Sequence, residues 1–298
     1  LIQAAKGYVD VQRGNTADFP SKHEFDHEIE MSPAQMKMYN FFLGKMPFYL
    51  RAKIRQGLPM SKQESQELNA FQGALRQVSN TPRGFTQDID DATELEHTPK
   101  IKRVIDNINE ARAKDPNWRG IVYSNYLDSG IHPLARALTQ AGVNHHVFTG
   151  GVNDKVRAQM VRDYNEGKTP LLLLSGAGSE GLDLKGTKDI HVLEPHWNPE
   201  RIKQVEGRGI RFQSHAHLPE AERRVNVHRY YSTLPKDVLD RAGFLIGQKA
   251  PQSIDQYLRT MSAEKARLSE QIAQALTEAS DQGPLRKQAG RATDDEFM

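Results

Sequence analysis

Two arginines three positions apart, Arg208 and Arg211 in QVEGRGIR, are the residues of this sequence best suited to clamp a phosphoryl group. Residues three apart on a helix are neighbours, so both guanidiniums can reach one cleft from the start of a helix, and Gln204, one turn earlier, faces the same way. Outside such a motif, a pair of this kind is usually a solvated or ion-paired surface. The stretch LLLLSGAGSEGLDL (171–184) adds Gly176, Gly178 and Gly181 in G-x-G-x-x-G spacing directly after an apolar run. A dinucleotide loop needs a crossover helix of at least ~10 residues after its glycines. Here only about eight positions separate Gly181 from the next apolar run at Asp189, and Lys185, Gly186 and Thr187 interrupt any helix, so a dinucleotide loop is disfavoured. Gly181 and Asp183 would then lie where a strand ends, the usual ligand crevice of open α/β sheets. Ser124, Thr149 and Ser175 also end apolar runs. Their hydroxyls and neighbouring N–H groups suit phosphate contacts that carry no base sequence, or equally serve as strand-end caps.

The elements that must hold these residues follow from periodicity. GIVYSNY (120–126), HHVFTG (145–150), LLLLS (171–175), DIHVLE (189–194) and NVHRYYS (226–232) read as strands. GIHPLARALTQAG and NDKVRAQMVRDYNEG lie between them as helices, the second started by Asn153 or Asp154 and ended by Gly167. Strand and helix in alternation imply an α/β domain with a mainly parallel sheet and right-handed connections. Residues 1–30 look extended, and MSPAQMKMYNFF then begins a helix, with Ser32 as cap, Pro33 in the first turn and Gln35 completing a capping box. From Lys45 to about Glu96 the chain is polar with helical patches, and a helix around KIKRVIDNINEAR follows. The tail from Ser253 to Ser280 repeats apolar residues at helical spacing, and from Ser280 on the polar composition suits a disordered end.

Composition narrows the function. With 298 residues the chain can bury a sizeable core, and its formal net charge of +2 does not by itself require a polyanionic partner. Arg201 to Arg229 is a local basic excess, with Arg201, Lys203, Arg208, Arg211, Arg223, Arg224 and Arg229 against Glu206, Glu220 and Glu222. The absence of cysteine excludes disulfides, thiolate zinc sites and cysteine nucleophiles. His215 and His217 form an H-x-H without further ligands at zinc spacing, which reads as a surface loop rather than a metal site, and Trp197 and His196 read as core and loop residues. No apolar run approaches the ~20 residues of a membrane span, and no secretory signal core is present, so an intracellular protein is expected. The chain opens on Leu1 rather than Met, as a piece of a longer polypeptide would.

Taken together, SGAGSEGLDL, HWNP and QVEGRGIR resemble motif V, the segment after it and motif VI (Q-x-x-x-R-x-x-R) of superfamily 2 helicases. IVYSNYLDSG is similar to motif IV, and FTGG with the helix carrying Arg157 is similar to motif IVa. The resemblance is to the C-terminal RecA-like lobe, closest to Snf2-like ATPases including those of large DNA viruses and phages. It is strong over about 118–232. It implies ATP and magnesium between two lobes, Arg208 and Arg211 as arginine fingers, and Gly181, Asp183 (toward the ribose) and Gln204 on the nucleotide. It further implies Ser124, Thr149, Gly150, Arg157 and Ser175 on a DNA backbone. The implied division is an inter-lobe segment and linking helix (1–44), a helical protrusion or linker (45–99), the RecA-like lobe (100–235), a C-terminal helical extension (236–279) and a disordered tail (280–298). Phe212, Gln213 and Ser214 replace the Ile-Gly-Gln run usual in Snf2 remodellers, which argues against chromatin remodelling. No G-x-x-x-x-G-K-[ST] and no D-E-x-H occurs, so the phosphate cradle and the magnesium-holding acid are expected on another, N-terminal lobe. The rival reading is a solitary lobe that binds nucleic acid or a protein without turnover.

Overall fold

Strand-end and helix-end residues can act together only if the chain returns to the same sheet repeatedly, and it does. The computed structural model describes residues 19–176, 182–241 and 250–281. The chain divides into two compact units, Asp18–Met261 and Leu1–Ala17 with Ser262–Met298. In the larger unit the order is β1 (Ser21–Glu30), α1 (Pro33–Lys45), α2 (Phe48–Gln56), α3 (Lys62–Asn80), α4 (Pro99–Lys114), β2 (Gly120–Ser124), α5 (His132–Gln140), β3 (His146–Phe148), α6 (Asp154–Asn165), β4 (Leu171–Ser175), β5 (Asp189–Val192), α7 (Pro199–Gly209), β6 (Arg224–Thr233) and α8 (Lys236–Arg241). A further helix, α9 (Ile254–Asp281), begins in this unit. In the other unit, the described residues are the rest of α9, where Leu268 and Ile272 are each 52% exposed. The stretch after Asp281 lies outside the described residues. Among those described, no helix is long and apolar enough to cross a membrane.

The sheet has six strands in the order β1-β6-β5-β2-β4-β3, and every pairing is parallel. Successive side chains of a strand point to opposite faces, and here both faces are covered. Val122, Leu171 and Leu173 pack under α4 and α5 with Val104, Ile108, Leu134 and Leu138. Ile121, Tyr123, Leu172 and Leu174 pack on the other face with Tyr164 of α6 and Ile202 and Val205 of α7. That double coverage explains why the central strands read as continuous apolar runs.

β1 was legible only as an extended stretch. SKHEFDHEIE pairs along its whole length with β6, from Ser21 opposite Arg224 to Glu30 opposite Thr233, yet most of its side chains are exposed. A charged edge strand protects the sheet from further pairing, and with only Phe25 and Ile29 apolar on its other face the alternation by which strands are recognised is faint. The polar stretch after Lys45 holds α2 and α3, whose Leu50, Ile54, Leu68, Leu75 and Val78 form a second core with Met36, Tyr39 and Leu43 of α1 and Ile254, Tyr257 and Leu258 of α9. The expected capping box of α1 is formed, Ser32 and Gln35 each accepting the other's backbone N–H. Buried Gln35 also donates to Val78 O and Ser79 O, which locks α1 to the end of α3.

Candidate functional site

The C-terminal ends of β2, β3 and β4 gather most of the polar residues foreseen for a phosphate backbone. Ser175 ends β4 with its Oγ buried and no hydrogen-bond partner among the described residues. Buried hydroxyls are normally satisfied, so an orphan at a strand end marks a place where a ligand or water completes the bonding. Asn125, next after β2, presents a second buried group of this kind, its Nδ2. Its Oδ1 accepts a hydrogen bond from Tyr123 Oη at 3.0 Å. Arg201, in the first turn of α7, completes the cluster: a Cβ on Gly176 would lie 3.3 Å from Arg201 Nη2 and 3.4 Å from Tyr123 Oη. Glycine at 176 thus lets a guanidinium and a phenol close on the strand end. Asn125 and Arg201 were missed by the sequence reading, although Asn198-Pro199 as N-cap and first helical residue could have placed Arg201 in the opening turn.

Ser124 sits differently. It is fully buried, and its Oγ donates to Glu194 Oε1 at 2.5 Å and bridges to the backbone of Tyr126. Its geometry is that of the strand-end cap, the alternative reading. Glu194, also fully buried, takes two further hydrogen bonds, from Asn80 Nδ2 at 2.5 Å and Asn125 N at 3.0 Å, and so ties α3 to the strand ends. Nothing in the sequence pointed to Glu194. Thr149 and Gly150, past β3, are held by Arg157, whose Nη2 donates to both of their carbonyls at 2.9 and 2.8 Å while its guanidinium lies over the Phe148 ring. Arg157 therefore fixes the shape of this loop, with its N–H groups largely turned inward.

The second group of foreseen residues lies at the opposite edge of the sheet, which corrects two expectations. Between parallel β4 and β5 the chain must travel back to the start of the next strand, and it does so through Leu182 and Leu184, buried in the sheet's core. Asp183 is consequently on that return path rather than at a strand end. It is exposed, with its carbonyl accepting from Asn165 Nδ2 at the end of α6. Gly181 lies outside the described residues. Arg208 is in the last turn of α7, not the first, and Arg211 follows the cap residue Ile210. The reason is the Asn-Pro start at 198–199, which uses most of the helix before the arginines are reached. Arg211 folds back on the helix end, its Nε donating to Gly207 O at 3.0 Å. A Cβ on Gly209 would lie 3.0 Å from Thr187 Cγ2, so glycine here lets α7 end tightly against the start of β5. Gly186 N donates to Ser214 O at 3.0 Å, bringing the Asp183–Gly186 stretch beside the arginine turn. Gln204 is exposed one helical turn before Arg208.

Glu206 anchors α7. It is buried and accepts from Arg229 Nη2 at 2.7 Å and Lys22 Nζ at 3.1 Å, joining the helix to β6 and β1. The same guanidinium hydrogen-bonds Glu24 and holds that carboxyl down at about 2. His215, expected on a surface loop, is buried, its Nε2 meeting Thr187 O at 2.7 Å, and burial lowers its pKa. Trp197, expected in the core, is 48% exposed. Among the described residues no three His, Asp or Glu side chains come together as metal ligands. Among the described residues the donor set at this second edge is two guanidiniums and an amide, chemically suited to the phosphates of a nucleotide.

Comparison with known proteins finds similarity in sequence and in fold. Residues 99–213 match the helicase conserved C-terminal domain. A putative ATP-dependent RNA helicase of Acanthamoeba polyphaga mimivirus is 31% identical over 274 residues, covering 89% of this chain and 55% of that protein. Nucleoside triphosphatase I of Melanoplus sanguinipes entomopoxvirus is 25% identical over 255 residues, 72% of this chain and 38% of the relative. The chain thus spans about half or less of these relatives' own length. The Sulfolobus solfataricus SWI2/SNF2 ATPase core in complex with dsDNA has the same fold, with TM-score 0.56 and 15% identity over 87% of this chain and 50% of that one. The C-terminal part of the Fun30 ATPase domain matches with TM-score 0.55 and 15% identity, over 83% of this chain and 99% of its own. Residues 99–213 are thus similar to the helicase conserved C-terminal domain, and the fold is that of the C-terminal part of the Fun30 ATPase domain.

Proposed function

We propose that this lobe is half of an ATP-driven motor that moves on DNA, with the nucleotide at one edge of the sheet and the nucleic-acid backbone at the other. The observation that carries the reading is the position of the arginine turn, docked beside the Asp183–Gly186 stretch through Gly186 N and Ser214 O and separated by the whole sheet from the unpartnered Ser175 Oγ. In this reading water attacks the γ-phosphoryl group, the bond to the β-phosphate oxygen breaks, and ADP and phosphate leave. Arg208 and Arg211 reach across the inter-lobe cleft and offset the negative charge spread over the transferring group. Gln204 and Asp183 orient the nucleotide, with Asp183 toward the ribose. The other lobe would hold magnesium together with ATP, where the ion would supply positive charge to the phosphates. At the far edge Ser175, Asn125, Arg201 and the Thr149–Gly150 amides engage phosphates without reading sequence. The relatives named RNA helicases and the neighbour solved with dsDNA support a nucleic-acid track, and DNA is the one proposed.

The test compares ATP turnover by residues 1–298 with that of a longer chain carrying a Walker-type lobe, each with and without DNA or RNA. Turnover only in the longer chain, stimulated by DNA, is the expected result. Stimulation by RNA alone would overturn the choice of DNA. Robust turnover by residues 1–298 would sink the split-site reading, and none in either chain would favour the solitary binding module.

A further inference from the structure

Residues 31–63 contain no Asp or Glu but do contain Lys37, Lys45, Arg51, Lys53, Arg55 and Lys62. This run folds into α1, α2 and the start of α3, and its apolar side is used up in the helical core through Leu43, Leu50 and Ile54. The opposite side nevertheless exposes large rings. Phe48 is 76% exposed, Phe41 51% and Tyr49 45%. Three exposed rings on one helical corner are more than scattered surface apolar residues require. They alternate with cations: Lys45 Nζ lies 4.2 Å from the Phe41 ring centre, and the Arg51 guanidinium lies 5.8 Å from that of Phe48. Phe48, Arg51 and Arg55 share one face of α2 by their spacing of three and seven. Lys53 is paired with Glu64 and Lys37 lies near Asp88, but Lys45, Arg51 and Arg55 have no carboxylate within 4.0 Å among the described residues. The Tyr49 hydroxyl is tied to Glu67, which fixes its ring in place.

We propose that this α1–α2 corner is a second nucleic-acid contact, a stacking platform for unpaired bases of a single strand whose phosphates meet Lys45, Arg51 and Arg55. A polyanion answers the unpaired cations, and bases answer the rings, since every base has a face that stacks on an aromatic side chain whatever the sequence. The placement agrees. β1 runs into α1 at its C-terminal end, and Leu234, just past β6, joins the same helical core, so the corner lies beyond the sheet edge that holds Ser175 and Arg201. β1, which leads into the corner, and β4, which ends on Ser175, lie four positions apart in the sheet, so only a nucleic-acid strand longer than the edge contact can meet both. The inference rests on the nucleic-acid reading given above and adds a separate surface to it.

The experiment measures binding of labelled oligodeoxythymidine of about 6 and about 20 nucleotides, bracketing the site sizes of single-strand grooves. The parent chain is compared with Phe41→Ala/Phe48→Ala, Arg51→Gln/Arg55→Gln, and Ser175→Ala/Arg201→Ala. The corner variants should weaken the long strand roughly tenfold and leave the short one unchanged. The arginine variant should lower the salt slope of long-strand binding by about 1.4, at ~0.7 per lost phosphate contact. Both rings are exposed, so the melting temperature should stay at the parent value, which separates a lost contact from a lost fold. If the corner variants bind the long strand like the parent while Ser175→Ala/Arg201→Ala weakens both strands, the platform is overturned and the edge reading stands. If the parent binds neither strand, both fall. Competition by poly-glutamate as effective as that by unlabelled DNA, or a dimer lost with the two phenylalanines, would assign the corner to an acidic protein or a second copy instead.

Discussion

The Lys100 ammonium lies 2.6 Å from Asp255 Oδ2, and neither side chain is exposed to solvent. The pair joins the first turn of α4 to the first turn of α9, and it does not stand alone. Asp255 Oδ2 also accepts from Ser232 N at 2.9 Å, while Lys100 donates to Asn80 Oδ1 at 3.1 Å. Asn80 in turn donates to Glu194, which receives Ser124 and Asn125. One buried polar chain thus runs from the C-terminal helix to the strand ends proposed to meet nucleic acid. Removing one charge leaves the other buried and unpaired, which costs about 3–5 kcal/mol. Lys100→Met or Asp255→Leu alone should therefore destabilise the fold by that order in denaturant titrations, and the double variant by clearly less than the sum. Additive losses would mean that the two groups do not interact.

Glycine at 130 is set by its neighbours. A Cβ there would fall 2.0 Å from Ser124 Oγ and 3.3 Å from Glu194 Oε1. Gly130→Ala must displace the hydroxyl that caps β2, at a cost of about 1–3 kcal/mol for overpacking a filled site. Adding Ser124→Ala should recover part of the loss, because the nearer atom in the way is gone while Ser124 Cβ, 2.8 Å from the added methyl, remains. Thermal melts of both variants check this, and Gly130→Ala as stable as the parent would contradict the packing described.

Acid should weaken the fold through histidines held neutral. Burial, with His228 alongside, lowers His27 to about 4, and burial also lowers His191 and His215. Below the ordinary histidine value of ~6.5 the unfolded chain takes up protons that the folded chain refuses. Stability therefore falls as pH drops through the window from about 6.5 toward 4 and is flat above it. Urea midpoints at several pH values between 7.5 and 5 should decline on that schedule. His27→Gln should make the decline shallower, and a midpoint independent of pH over this range would refute the linkage.

The parts of this lobe that sequence disclosed are those with a repeating physical signature. Leu171 to Leu174 and Ile121 to Tyr123 are apolar throughout because both faces of the sheet are covered, and Ser32 with Gln35 announces a helix start through two side chains alone. β1 escaped because, opposite Lys22, Glu24, Asp26 and Glu28, its other face carries only Phe25 and Ile29 as apolar residues, too few to announce a strand. The position of Arg208 was misjudged because a motif gives residue order, whereas the helix register is set upstream by Asn198 and Pro199. Glu194, Asn125 and Gly130 were not foreseen because their roles exist only between elements distant in the chain.

Arg208 and Arg211 yield the sharpest test, since in the proposed motor their charge acts only on a transferring phosphoryl group across a closed cleft. In a chain with both lobes, replacing either by Ala should lower kcat by about 10³-fold, the lower end for an arginine finger, with DNA affinity kept. Lys should restore little, because a planar fork engages two phosphate oxygens in fixed geometry and a single ammonium does not. The Arg211 side chain has a hydrogen bond to lose, from its Nε to Gly207 O, so its variant carries a small stability cost of ~0.5–1.5 kcal/mol that a melt can separate from the rate effect. A surface pair that merely closes α7 predicts the opposite pattern, normal turnover with that same small loss of stability. ATP hydrolysis at the parent rate by both Ala variants, measured with saturating DNA, would therefore remove these residues from the reaction and the motor reading with them.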